Sequence, residues 1–190
     1  MSSTSAQSIP PGKIVLTYDD YCELPNDRNR YEIHDGELSV TPTPNTKHQR
    51  ISSRLHFALS QHVLANRLGE VYSAPTDVIL TPTTVVQPDL IFVGNDRLGI
   101  VTTRAMEGPP TLVIEILSPS TSRTDRITKA QLYAKHGVPH YWLFDPDQQK
   151  VEAYELAADQ YRLILEAQNE EVFIPPLFPG LSIPLADLWS

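Results

Sequence analysis

The chain has 190 residues, 41% of them hydrophobic, and a formal net charge of −8. That length and apolar content fit one domain with a full core, and the negative charge argues against a protein that coats nucleic acid by bulk electrostatics, which needs clustered Lys and Arg. The single cysteine, Cys22, excludes an intramolecular disulfide and a Cys-rich zinc site, and favours a reducing interior.

Residues 1–12 are rich in Ser, Thr and Pro and lack the apolar core of a signal peptide, so they read as a flexible arm ahead of a single domain over 13–190. No later stretch reaches the ~18 apolar residues of a membrane span. The expectation is a soluble, cytoplasmic protein with no membrane partner. Residues 17–24 can form a short helix, with Thr17 as N-cap and Asp19 and Asp20 in its first turn. Residues 31–34 and 37–40 read as a hairpin around Asp35-Gly36, a type I′ turn pair, stopped by Pro42 and Pro44. Asn45 or Thr46 caps a longer helix that carries Ile51, Leu55, Ala58, Leu59 and Val63 on one face and ends near Gly69.

Strands follow at 71–80 and 87–93, separated by a Thr/Pro turn. A third, 112–117, is apolar enough to be buried on both faces. Residues 118–121 end it and lead into a helix over about 124–136, closed by Gly137. A buried strand at 141–144 ends at Asp145-Pro146, and 151–156 with 161–165 make a second hairpin. This order predicts an α+β (mixed α/β) fold, a central mixed sheet flanked by helices.

Glu115 interrupts the apolar run Leu112-Val113-Ile114-Glu115-Ile116-Leu117, and Asp89 stands directly before Leu90-Ile91-Phe92-Val93. An uncompensated carboxylate in such a strand costs several kcal/mol, so a metal ion, a lysine or a set of donors must accompany it. Two such acids entering one sheet fit a Mg²⁺ ion completed by water, the kind of ion that activates water for phosphodiester hydrolysis. The six histidines include no His-Glu-x-x-His. His48 could contact phosphate, or be an ordinary solvated or hydrogen-bonded helix histidine. No Gly-rich phosphate loop is present, so no nucleotide cofactor is expected. Ser118 and Ser120 lack a nucleophile elbow and read as strand end and helix cap. The basic stretch Arg123, Arg126, Lys129 and Lys135 reads first as a solvated helix face. Tyr133, Tyr141 and Trp142 read as packing rather than base stacking.

Pro88-Asp89 and Glu115-Ile116-Leu117 resemble the half-motifs of PD-(D/E)xK nucleases, with Leu117 where the lysine is expected. A longer ordered series resembles the Uma-two family. It comprises Tyr31-Glu32-Ile33-His34-Asp35-Gly36-Glu37-Leu38, His48, Pro88-Asp89-Leu90, the stretch from Val113 to Thr121, Asp125, Lys129, Tyr133, the stretch from Gly137 to Pro146, and Phe178-Pro179-Gly180-Leu181. The resemblance covers roughly residues 17–190. It implies a restriction-endonuclease-like core with an N-terminal and a C-terminal hairpin, and a metal-dependent nuclease acting on DNA. By the same resemblance Mg²⁺, with Mn²⁺ able to substitute, would sit on Asp89, Glu115 and the backbone carbonyl of Ile116. Lys129, supplied from the following helix, would act near the attacking water, so the implied catalytic set is Asp89, Glu115 and Lys129, and a homodimer follows by analogy.

Other readings stay open. Asp125 and Lys129, spaced i,i+4, can form a surface pair. Glu32 can be a third metal ligand or outer-shell partner, or an exposed hairpin residue facing Arg30 or Lys47. Asp77 can join the acids or decorate a sheet face. His140 stands where the family commonly has an acid. The alternative function is a catalytically inactive nuclease-fold protein that binds DNA or serves in assembly.

Overall fold

A computed structural model describes residues 14–118 and 123–190; the expected arm over 1–12 and residues 119–121 of the expected strand end and cap lie outside the described residues. In chain order the elements are α1 (Tyr18–Cys22), β1 (Asn29–His34), β2 (Glu37–Pro42), α2 (Thr46–Asn66), β3 (Gly69–Ser73), β4 (Val78–Thr81), β5 (Thr84–Val86) and β6 (Leu90–Gly94). A 3-10 turn over Asn95–Ile100 follows, then β7 (Met106–Glu107), β8 (Leu112–Ile116), α3 (Arg123–Lys135), β9 (His140–Asp145), β10 (Lys150–Ala157), β11 (Gln160–Gln168), β12 (Val172–Phe173), β13 (Ile183–Pro184) and α4 (Leu185–Trp189).

The large sheet has the order β11-β10-β9-β8-β6-β3 and is mixed, because β8 and β9 run parallel while the other neighbours are antiparallel. All five residues of β6 and all five of β8 are buried, as their near-continuous apolar sequences require of central strands. Period-two alternation sorts the two faces. Leu90, Phe92, Leu112, Ile114, Ile116, Trp142 and Phe144 pack with Ile51, Leu55, Leu59 and Val63 of α2 and with the C-terminal Phe173, Phe178 and Leu181. Ile91, Val93, Val113, Tyr141 and Leu143 pack with Val78, Val86 and Met106 and with Leu132 and Tyr133 of α3. Glu115 shares the parity of Val113, so it enters this second interface.

A second sheet, β2-β1-β5-β4-β7, supplies the other wall of that interface. Its first hairpin is as expected: Asp35 and Gly36 have φ of 50° and 86°, the left-handed pair that a type I′ turn needs. A Cβ at Gly36 would lie 2.5 Å from Val15 Cγ1, so glycine is required there by space as well.

Two expectations are corrected. The strand at 71–80 is two strands in different sheets, β3 and β4. The apolar alternation spans the break, but Pro75 removes a ladder donor and the Thr76 hydroxyl turns back to the Ser73 carbonyl at 2.7 Å. The strand at 87–93 starts late: Gln87-Pro88-Asp89 is the passage from the small sheet to the large one and β6 begins at Leu90, while β5 occupies Thr84–Val86, where a turn is expected. The helix α2 ends on Arg67, whose φ of 53° makes it the left-handed cap, and Gly69 already opens β3. The short C-terminal elements β12, β13 and α4 carry too little periodicity to be foreseen.

At the other end of α2 the Asn45 side chain accepts the His48 N–H at 2.9 Å. Replacing Asn45 by Ala should therefore lower stability by about 1 kcal/mol, measured by urea unfolding; an unchanged midpoint would show that the cap contributes nothing.

Candidate functional site

Strand β1 alternates Arg30, Glu32 and His34 on one face, and all three point into a cavity of about 250 Å³ shared with His48, Asp89, Glu115 and Lys129. That face looks onto the large sheet and α3 across the cavity, with Lys129 on Glu32, and is therefore interior: Glu32 is 1% exposed. The reading of Glu32 as an exposed hairpin residue is thus overturned, and Lys47 pairs instead with Asp147 at 3.1 Å.

The register Leu90↔Ile114 and Ile91↔Val113 between β6 and β8, continued by one residue, sets Asp89 opposite Glu115. Asp89 is 2% exposed and Glu115 6%. Asp89 Oδ1 accepts from Arg30 Nη2 at 2.7 Å, and its Oδ2 takes His48 Nε2 at 3.0 Å and the Ile116 N–H at 2.8 Å. Glu115 Oε1 accepts from Lys129 Nζ at 2.9 Å and from the Tyr133 hydroxyl at 2.5 Å. Lys129 Nζ also donates to Glu32 Oε1 at 3.1 Å. The remaining contacts of Glu32 are the Gln87 N–H on Oε1 at 2.8 Å and His34 Nε2 against Oε2 at 3.2 Å.

Burial opposes ionisation of Glu32, but Lys129 and His34 reverse the effect and hold its carboxyl at about 2. Asp89 is likewise held at about 2, with burial outweighed by the His48 hydrogen bond and the Arg30 guanidinium. Glu115 goes the other way: burial raises it, and the attraction of Lys129 is offset by the charges of Asp89 and Glu32. Burial works against the Lys129 ammonium, yet Glu115 and Glu32 raise its pKa above the ordinary lysine value. Burial and Glu115 push the Tyr133 phenol well above its usual range. Lys129 is therefore held as a charged hydrogen-bond donor to both carboxylates.

Among the described residues no group of three or more His, Cys, Asp or Glu side chains has metal-ligand spacing. The donor set instead fits an ion that takes one or two carboxylates and keeps its waters, as Mg²⁺ does. Asp89 and Glu115 are hard oxygen donors across one strand pair, and Ile116 lines the same cavity.

Of the residues singled out in the sequence, Asp89, Glu115, Ile116, Lys129, Glu32 and His48 converge. Asp77 does not: its Oδ1 accepts from the Tyr21 hydroxyl and from Gln87 Nε2, each at 2.8 Å, beside a different cavity. The Asp125 side chain lies outside the described residues. His140 opens β9 opposite Glu155 and is not part of the cavity wall. Four contributors escaped the sequence reading: Arg30, His34, Tyr133 and Gln87. Arg30 was visible as the first member of a polar period-two stripe, and Tyr133 as the residue one helical turn after Lys129. Gln87, which binds Glu32 through its main chain, gives no sequence signal.

A family model, Uma2, described as "Putative restriction endonuclease", matches residues 18–186. The crystal structure of "a putative nuclease belonging to DUF820" from Anabaena variabilis ATCC 29413 is similar, with a TM-score of 0.74 at 23% identity over 92% of this chain and 97% of that one. This likeness shows the fold. No curated protein matches the chain.

Glu32 and Asp89 ionise at about 2 in the fold, against ordinary values of 4.5 and 3.8. Carboxyls lowered in this way stabilise the fold above their ordinary values, and the contribution is lost as pH falls through the folded value. The raised Glu115 acts in the opposite sense, its contribution fading as pH rises above the ordinary glutamate value of 4.5. Urea unfolding followed from about pH 5 to about pH 2 should show a shallower loss of stability in Glu32→Gln than in the wild type. Parallel curves would contradict the assigned ionisation of Glu32.

Proposed function

The chain belongs to the Uma2 family, and from that premise we propose that it is a metal-dependent nuclease hydrolysing DNA phosphodiester bonds, with a PD-(D/E)xK-like site whose lysine comes from α3. The observation that carries the proposal is the convergence of the buried Asp89 and Glu115 carboxylates, from the entry of β6 and from β8, with the Lys129 ammonium from α3.

Asp89 and Glu115 would hold Mg²⁺, or Mn²⁺ in its place, with the Ile116 carbonyl as a further oxygen ligand. Bound there, the ion supplies Lewis-acid charge and lowers the pKa of its water. The chain's own groups do the rest. Arg30 and His48 fix the orientation of Asp89, and Tyr133 does the same for Glu115, as outer partners of metal-binding carboxylates do. Lys129 holds the attacking water or a phosphate oxygen through its N–H bonds and offsets the charge that develops in the transition state. Leu117, in the usual lysine place, becomes part of the apolar cavity wall. Two strands of DNA call for two sites, which a homodimer supplies, and the setting is the cytoplasm. No described helix is long and apolar enough to cross a membrane.

A second reading draws on the same geometry. Arg30 and Lys129 already balance charge on the carboxylates within the chain, as a catalytically inactive DNA-binding or assembly protein would need.

Incubation of plasmid and linear DNA with purified protein separates the two. The nuclease reading predicts cleavage with Mg²⁺ or Mn²⁺, none with chelator, loss of cleavage in Asp89→Asn, and a drop of ~10²-fold or more in Lys129→Met, both variants remaining folded by circular dichroism. DNA binding without cleavage under every divalent metal, unchanged in Asp89→Asn, would select the inactive module.

A further inference from the structure

Lys129 is held by two carboxylates of different standing. Glu115 lies on β8 of the large sheet and Glu32 on β1 of the small one, so their positions are set independently. The ammonium bridges them, at 2.9 Å from Glu115 and 3.1 Å from Glu32. If Glu115 turns its oxygens to a divalent ion, Lys129 loses its nearer partner, and a buried ammonium without a counter-ion is strongly disfavoured.

We propose that Glu32 is the positioning residue of this site, the second counter-ion that keeps the Lys129 ammonium at the reaction centre when Glu115 engages a metal ion, and that it is not itself a ligand. This rests on the nuclease reading of the cavity. Its footing is the place from which Glu32 is held. Oε1 is shared between Lys129 and the Gln87 N–H at 2.8 Å, and Oε2 faces His34 at 3.2 Å. Asp89 is held as fully, so what sets Glu32 apart is its place: it comes from β1 of the small sheet with Oε1 on the ammonium, while Asp89 and Glu115 stand opposite each other at the entry of β6 and on β8 of the large one. Glu32 does not join Asp89 and Glu115 in a three-ligand group, since none exists among the described residues.

The bracing of Glu32 also reaches beyond the cavity. The Gln87 side chain donates to Asp77 and to the Tyr21 hydroxyl, each at 2.8 Å, and this clamps the main chain whose N–H holds Glu32. Two residues later the same passage delivers Asp89. The small sheet therefore sets the lysine, and the large sheet sets the Asp89–Glu115 pair.

The test compares wild type, Glu32→Gln and Glu32→Asp, using Mn²⁺ calorimetry without DNA and the ¹⁵N ammonium resonance of Lys129, assigned by its loss in Lys129→Arg. In Glu32→Gln the Mn²⁺ affinity should stay within about threefold of wild type, well short of the ~10-fold or larger loss seen when a metal site is damaged. The Lys129 resonance should persist in the wild type when Mg²⁺ is added, and broaden beyond detection in Glu32→Gln under Mg²⁺ alone. Cleavage should lose ~10²-fold in kcat with little change in KM, and Glu32→Asp, which keeps the charge, should recover part of it. Mn²⁺ binding weakened tenfold or more in Glu32→Gln, or a Lys129 resonance that survives Mg²⁺ in that variant, overturns this assignment alone. A wild-type protein that binds no Mn²⁺ overturns the nuclease reading and the assignment with it.

Discussion

Three carboxylates, Glu32, Asp89 and Glu115, are buried together in the joint between two sheets, and the surrounding architecture is arranged to make that tolerable. Unpaired, such charges would cost several kcal/mol each. Two cations therefore have to be brought in from separate elements, Arg30 from β1 and Lys129 from α3. Each arrival imposes a placement: β1 must run inside its sheet with its polar face inward, and α3 must lie across β8 and β9. Backbone and neutral donors complete the compensation, from Ile116, Gln87, His48 and Tyr133.

The position of the lysine follows from the same constraint. In a strand, Leu117 would share the face of Glu115, but its N–H is already committed to the Phe144 carbonyl at 2.8 Å and its side chain is apolar. The ammonium reaches Glu115 from the helix that follows. What matters to a buried carboxylate is where positive charge sits, not which element carries it, so one constellation can be assembled from a different chain order. The fold alone would not license that conclusion, since one architecture hosts many functions. The side-chain geometry carries it.

Much of the site was legible because its signature is local. An acid inside a run of six residues that is otherwise apolar, and another at the head of a second apolar run, announce themselves without any knowledge of the fold. The hairpin was equally local, being fixed by Asp35-Gly36. The small sheet was not legible, because it is built from strands of two to six residues that pair over long sequence distances, such as Ile33 with Val85. Nothing at position 30 says that its partner stands at 89. The same loss of long-range pairing explains why 71–80 read as one strand: alternation continues through a proline that in space separates two sheets. The exposed one of the two readings open for Glu32 fails for that reason too, since a hairpin in isolation has two exposed faces and this one has a sheet beyond it.

The central claim is that Asp89 and Glu115 form a metal site while Lys129 stays in place on Glu32. A crystal structure of the protein soaked in Mn²⁺, with the ion located by its anomalous scattering, tests it most directly. The account predicts a peak between the Asp89 and Glu115 carboxylates, with the Lys129 ammonium still within hydrogen-bond distance of Glu32. Absence of a peak at saturating Mn²⁺, with Arg30 still on Asp89 and Lys129 still on Glu115, would contradict it.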